Sequence, residues 1–227
     1  MKDSLRQPCD WFSDRLIARS TRHQLYSRNN KQGLDIFEET GVKGRCEEYE
    51  QFKKIDAAFR AGDISALRAA VDDPDSIPNG PMPLTIGRCL EYAIYHSPLP
   101  FIRTLLEIGA DPNPEDHSGF PPLIAALSCS RPQPGSPGRS DVIEIVTLLL
   151  SFGSDPNQRG INDCTALHVA AGERNLAAIE RLLEAGADPT LRTRIDDCET
   201  PRELAERAGL REIAELLARW EAQRTRG

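Results

Sequence analysis

The chain has 227 residues, of which 39% are hydrophobic and 28% charged, and its formal net charge is −7. No apolar run approaches the roughly 18 residues of a membrane-crossing helix, and we expect no secretory signal because the N-terminal stretch has no apolar core. The six cysteines are scattered without the close pairs that bind metals, which predicts reduced thiols and a cytoplasmic location.

Residues 1–45 stand outside the pattern that governs the rest of the chain. They carry nine lysines and arginines against six acids, whereas the remainder is acidic. Trp11-Phe12 and Leu16-Ile17 are spaced for a short amphipathic helix. Because the basic excess is small and does not alternate with aromatic residues, we predict a partly ordered extension rather than a nucleic-acid-binding arm.

A helical pattern begins at about Glu47. Phe52, Ile55 and Phe59 repeat at helical spacing, and Ala61-Gly62-Asp63 then predicts a turn. The first of these helices is polar on one face, which is typical of the unit that closes the end of a repeat array.

Three later stretches end alike, in a Leu-Leu pair followed two residues on by Gly, a small residue and Asp-Pro. These endings occupy 105–113, 149–157 and 182–190. The leucines that open the preceding helices, Leu90, Leu123 and Leu167, are 33 and 44 residues apart. A glycine supplies the left-handed residue that ends a helix, and Asp-Pro turns the chain. The spacing therefore predicts stacked helix–turn–helix units with a period near 33, one of them lengthened by 11 residues.

The extra residues lie at about 130–140, between the two helices of the third unit. This stretch is too rich in proline and glycine to be helical. It is either a tolerated surface loop or a contact or regulatory loop. If it is only tolerated, removing 131–139 leaves the fold intact. Asp141 and Glu144 predict a capping box for the helix that follows.

The most regular stretch, residues 162–190, combines Thr165-Ala166-Leu167-His168, the pair Ala170-Ala171 and the Gly-Ala-Asp ending. It resembles one ankyrin repeat. The resemblance implies an all-α ankyrin-repeat solenoid of about five helix-turn-helix units with an N-terminal extension. It also implies that the His168 imidazole hydrogen-bonds the turn backbone. The expected boundaries are an extension over 1–45, a repeat domain over 46–220 with units at about 47–80, 81–116, 117–160, 161–194 and 195–220, and a tail over 221–227.

Two positions depart from the family pattern. Pro121 stands where the family has threonine, and Arg202 stands where it has a buried leucine. Charged residues coat the last unit around Arg202, so we expect it to close the C-terminal end of the array.

Few side chains suggest chemistry. His96 and His117 would need Cys129 or a carboxylate within bonding distance to form a zinc site, and we predict no metal and no cofactor. The aspartates of the three matching endings hold the same place in each unit, which favours turn capping over paired catalytic carboxylates. No phosphate-binding loop or nucleophile motif is present.

These observations predict a non-catalytic protein–protein interaction module that serves as an adaptor, regulator or assembly factor. The family's geometry implies that the partner protein binds the concave face, without nucleic acid, membrane or small-molecule substrate. The alternative is an enzyme or a nucleic-acid-binding protein acting through the extension or the 130–140 insertion. The residues expected to contact the partner are Tyr95, His96, Glu115, His117, Phe120, Arg159, Ile161, Glu173, Arg192, Asp196, Glu199 and Arg207.

Overall fold

The computed structural model describes residues 42–80, 82, 87–115, 120–130, 138–194 and 198–224. Within these ranges the regular structure is helical, as the spacing predicts. The α-helices are α1 (Val42–Ala61), α2 (Ile64–Ala70), α3 (Cys89–His96), α4 (Leu99–Glu107), α5 (Pro122–Ser128), α6 (Val142–Ser151), α7 (Ala166–Gly172), α8 (Leu176–Glu184), α9 (Pro201–Arg207) and α10 (Arg211–Arg224). Short 3-10 turns lie at Pro74–Ser76 and Ile161–Asp163.

Consecutive helices pack as five antiparallel pairs. The first helices of the pairs, α1, α3, α5, α7 and α9, also pack on one another in order, and α4, α6 and α8 form a second row behind them. We call the former set the first-helix row. Since each pair covers the apolar face of its neighbour, the core is continuous along the array.

The first helix is longer than its sequence pattern indicates. It begins at Val42 rather than near Glu47 and spans 20 residues, against seven or eight for the other first helices. The apolar spacing starts only at Phe52 because, among the described residues, no neighbouring unit covers the preceding turns. Residues 47 to 50 are accordingly exposed.

The helix endings follow the predicted chemistry. Gly109, Gly153 and Gly186 have φ values of 95°, 84° and 92°, which a side chain at these positions would strain. The aspartates two residues later, at 111, 155 and 188, accept the N–H groups of residues 113, 157 and 190 at 2.9, 2.8 and 2.9 Å. The interpretation of these aspartates as turn caps is confirmed.

Asparagines in the same loops link each unit to the next. Asn113 donates through Nδ2 to Gly153 O at 2.8 Å, and its Oδ1 accepts the Asp155 N–H at 2.6 Å. Asn79 and Asn157 make the same two bonds to the loops at 109–111 and 186–188. This asparagine ladder fixes the spacing of successive units because each side chain serves two backbone groups of its neighbour.

One buried position in these loops is imperfect. Ser154 is 5% exposed and its hydroxyl has no hydrogen-bond partner, whereas Ala110 and Ala187 fill the same place in the neighbouring units. We expect Ser154→Ala to raise the free energy of unfolding by about 1 kcal/mol, because it removes a buried, unsatisfied hydroxyl. Urea denaturation measures the change.

The matched control for this prediction is Ser151→Ala. The Ser151 hydroxyl is bonded to Leu148 O at 2.7 Å, and its removal should leave stability unchanged or slightly lower. A Ser154→Ala variant that unfolds at lower urea than the natural chain contradicts the prediction.

Candidate functional site

The N-terminal ends of the first helices are fixed by hydrogen bonds within and between units. His168 lies at the start of α7 and is 2% exposed. Its Nδ1 lies 3.2 Å from the Thr165 N–H and 2.8 Å from Thr165 Oγ1, and its Nε2 lies 3.0 Å from Glu199 O in the next unit. Since the carbonyl only accepts, Nε2 carries the proton and Nδ1 accepts. The role expected for His168 is thereby confirmed, and one neutral tautomer satisfies these contacts.

In the other units, a different residue stands at the position of His168, the third residue of the first helix. In α3 the Glu91 carboxylate accepts the Phe120 N–H of the next unit at 3.2 Å. In α9, Thr200 and Glu203 form a capping box. In α5 the equivalent residue is Ile124. It packs so closely on Gly160 that a methyl group at that glycine would come within 2.8 Å of the Ile124 Cδ1. The departure from the family pattern at Pro121 thus coincides with an apolar contact instead of a polar cap.

In the second unit, aromatic rings line the exposed side of α3. The rings of Tyr92 and His96 are 4.4 Å apart, and those of Tyr95 and His96 are 6.2 Å apart. Tyr92 donates to Asp56 of α1 at 2.7 Å, and Arg60 binds the same carboxylate at 2.8 Å. The bond from Tyr92 to Asp56 is not predictable from the sequence pattern, because it crosses from one unit to another.

The predicted contact residues of this unit and of the start of the next differ in accessibility. His96 and Glu115 are exposed, whereas Tyr95 and Phe120 are half-buried. The Tyr95 hydroxyl is buried without a hydrogen-bond partner, so its polar end faces the protein. Although the residue as a whole is exposed, desolvation of its imidazole beside the Tyr92 ring, together with the nearby positive charges of Arg60 and Arg139, lowers the pKa of His96 to about 4, so its ring is neutral near pH 7.

Two loops, which precede α7 and α9 and which we call the projecting loops, are each closed by a backbone hydrogen bond. In one, the Gly160 N–H donates to Cys164 O at 2.8 Å, and in the other the Thr193 N–H donates to Glu199 O at 3.1 Å. The loops touch because Arg159 Nη1 donates to Arg192 O at 3.2 Å. Ile161, at the tip of the first loop, is 39% exposed. The structure therefore brings the predicted residues Arg159, Ile161 and Arg192 together.

Of the predicted contact residues in the last two units, Arg192, Glu199 and Arg207 are held by ion pairs. Arg192 binds both carboxylate oxygens of Glu203 at 2.8 Å and donates to Cys198 O at 2.7 Å. Arg207 binds both oxygens of Glu199. These pairs fix the side chains in place, although exposed pairs stabilise the fold little. His117 and Asp196, which the sequence also predicts as contact residues, lie outside the described residues.

The insertion is anchored at both of its ends. Ser130 Oγ donates to Glu173 of the fourth unit at 2.9 Å. Arg139 is 13% exposed, and its Nη1 donates to Ile94 O and Ser97 O of the second unit at 3.0 and 2.7 Å. Its Nε and Nη2 bind Asp141 at 2.8 and 2.6 Å. The base of the insertion thus connects three consecutive units, while residues 131–137 lie outside the described ranges.

These contacts correct two expectations. Asp141 makes no side-chain cap to α6, because its carboxylate is occupied by Arg139. The predicted capping box with Glu144 is therefore wrong. Arg139 is also part of the array rather than of a dispensable loop, so removing 131–139 would not leave the fold untouched.

Two variants, a loop shortening and a point substitution, separate the effect of the loop from that of its anchor. The Arg139 N–H donates to Cys129 O at 2.8 Å, so two glycines can replace 131–137 and close the gap. We expect this shortening to change stability by less than about 1 kcal/mol, because closure entropy depends weakly on length. Arg139→Ala should cost about 1.5–3 kcal/mol, because it removes charge-assisted hydrogen bonds and leaves two carbonyls without their donor. Thermal unfolding of both variants is the measurement, and equal losses would contradict the assignment.

Other kinds of site find little support in the described ranges. No group of three or more His, Cys, Asp or Glu side chains there could hold a metal ion. No helix among the described residues combines the length and apolar character needed to cross a membrane. Cys89, Cys129 and Cys164 are buried and Cys198 is exposed, and all four are free thiols.

Comparison with known proteins agrees with this geometry. The family model described as ankyrin repeats (3 copies) matches residues 138–225. The chain is 33% identical over 105 residues to SH3 and multiple ankyrin repeat domains protein 2 of Homo sapiens, and 34% identical over 76 residues to protein fem-1 homolog A of Bos taurus. It is 29% identical over 136 residues to ankyrin repeat and KH domain-containing protein mask-1 of Caenorhabditis elegans.

The likeness covers only part of this chain and a small part of each relative. The alignments cover 46%, 33% and 60% of this chain but only 5%, 12% and 5% of the respective relatives. The asparagine ladder and the helix pairs before residue 138 extend the same architecture beyond the matched range.

Proposed function

Because this chain is an ankyrin-repeat protein, and because ankyrin repeats form a fold that serves protein–protein interaction, we propose that it is a non-catalytic module that binds a partner protein. The binding surface is the concave face, built by the first-helix row and the projecting loops. It acts as an adaptor, regulator or assembly factor in a reducing compartment such as the cytoplasm, which the free thiols support.

The observation that carries this proposal is the direct packing of the first helices on one another. Tyr92, Val169 and Leu204 are each the fourth residue of their first helix, and all three are half-buried. Apolar side chains that are half-exposed along a rigid row present a surface whose shape is set before binding. Such a surface loses little conformational entropy when a partner docks.

The projecting loops add specificity to this surface. Exposed Arg159 and Ile161 stand at the tips, and the ion-paired Arg192 and Arg207 flank them. Arginine and large apolar side chains supply much of the energy of protein interfaces. Charges of both signs favour a protein partner over a polyanion.

The experiment has two stages. The full chain, immobilised, captures partners from its native cell extract, and mass spectrometry identifies them. The affinity of the purified partner is then measured for Arg159→Ala and Ile161→Ala, which are exposed and should not disturb folding. We expect each to weaken binding about tenfold, as interface anchors do.

Exposed residues of the second helices are the controls. Arg103→Ala in α4 and Glu180→Ala in α8 lie away from the first-helix row and should bind normally. If these controls weaken binding while Arg159→Ala and Ile161→Ala do not, the partner binds the opposite side of the array and the proposed surface is wrong. Tyr95 and Phe120 are poorer probes, because their partial burial would couple binding to stability.

A further inference from the structure

Arg174 has a left-handed backbone conformation, which glycine ordinarily adopts at this place in the fold. It lies in the turn between α7 and α8 with φ of 56°. The matching turns of the first and fifth units have Gly62 and Gly209 there, both with φ of 69°. The hydrogen bonding is equivalent, since the N–H of each of the three residues donates to the carbonyl three residues earlier.

A non-glycine residue in the left-handed region destabilises the turn. The Arg174 side chain is exposed, and no hydrogen bond or ion pair joins its guanidinium to another described residue. Among the described residues, the arginine side chain therefore makes no contact that would stabilise the fold. Backbone strain that no structural contact compensates is a reason to look for a functional role.

The surroundings define what Arg174 would bind. The neighbouring Glu173 carboxylate accepts a hydrogen bond from Ser130, and Arg207, at the end of the next first helix, binds Glu199. Arg174 thus presents a positive charge that no described carboxylate pairs with. It lies just after the end of α7, the first helix of the fourth unit. Its chemical complement is a carboxylate, which guanidinium binds through paired hydrogen bonds.

We propose that Arg174 is a partner-contact residue and that it binds an acidic side chain or terminal carboxylate of the partner protein. This inference rests on the proposed function and names the chemistry of one of its contacts. It extends the contact surface from the first helices and projecting loops to the turns between paired helices. In this proposal the arginine lowers the stability of the turn and in return binds a carboxylate of the partner.

The test uses a random twelve-residue peptide library displayed on phage and selected on the full chain. Peptides that bind should be enriched in Asp and Glu. Their affinity should fall at least tenfold for Arg174→Gly and Arg174→Gln, and remain unchanged for Arg103→Gln, the matched exposed arginine on α4. Arg174→Gly should also raise the melting temperature by about 1–3 °C through relief of backbone strain.

The combination of tighter folding and weaker binding is one that a purely structural residue cannot produce. Affinities within twofold of the natural chain, or a library that yields no acidic peptides, would overturn the proposal. A loss of binding in Arg159→Ala and Ile161→Ala with no loss in the Arg174 variants would do the same, while leaving the proposed function standing.

Discussion

Leu182→Ala is expected to lower the free energy of unfolding by about 2–5 kcal/mol, because truncating a buried leucine loses burial and leaves a cavity. Leu182 is completely buried in α8, which packs against both α7 and α6. The fourth unit therefore cannot loosen without exposing part of its neighbours. Urea denaturation gives the size of the loss.

Hydrogen exchange shows how far the damage spreads. Since units of a repeat array stabilise one another across their interfaces, we expect faster exchange throughout α7, α8, α9 and α10. Arg181→Ala is the control, because Arg181 is 55% exposed and its pair with Glu184 is on the surface. Exchange that changes only around residue 182 would show that the units unfold independently.

His168→Ala is expected to cost about 2–4 kcal/mol, because it leaves buried groups of Thr165 without their partner and removes one of the two donors to the carbonyl of Glu199, the other being the Thr193 N–H. The same residue makes stability depend on pH. Burial is the main cause that lowers the pKa of His168, and Arg159 adds to it, whereas the Glu199 carbonyl acts in the opposite direction. The neutral form is therefore favoured in the folded state.

The sign of the pH effect follows from this direction. The unfolded histidine titrates near pH 6.5, so its contribution is fully present above that pH and is lost as pH falls toward the lower folded pKa. Protonation of Nδ1 would set a proton against the Thr165 N–H. We expect the urea midpoint of the natural chain to fall between pH 7.5 and 5.5, and that of His168→Ala to fall less.

The window ends at pH 5.5 so that carboxylates do not contribute. Asp56, Asp141 and Asp188 have lowered pKa values and lose their contributions only at lower pH. His96 acts in the same direction as His168, and comparison of the two chains removes its effect. Parallel midpoints in the two chains would show that His168 does not titrate as described.

Much of the fold follows from local patterns in the sequence. The Leu-Leu and Gly-x-Asp endings predict where the helices stop, because the glycine and aspartate act within two or three residues of themselves. The role of His168 is equally local on its Nδ1 side, where Thr165 lies three residues away. Such short-range chemistry can be inferred from a single sequence.

The parts that sequence reasoning missed depend on contacts between distant residues. Arg139 binds carbonyls 42 and 45 residues earlier in the chain, and nothing in its proline- and glycine-rich surroundings indicates them. Asn113 lies within a recognised motif, yet its partners are 40 and 42 residues away. Tyr95 was expected to face a partner, but its hydroxyl is buried, and the helical spacing alone does not show which side a neighbouring unit covers.

The asparagine ladder stops at the fourth unit, and this has a consequence for how the protein is handled. Thr190 stands where the preceding loops have asparagine, and its hydroxyl turns back to Asp188 at 2.7 Å. At this last joint, Arg224 at the end of α10 donates to Ala187 O at 3.1 Å. The loop of the fourth unit is therefore held by the final residue of the last helix. Proteolysis on the N-terminal side of Arg224 would release that carbonyl, so purification tags and cleavage sites placed near this helix end act directly on the fold.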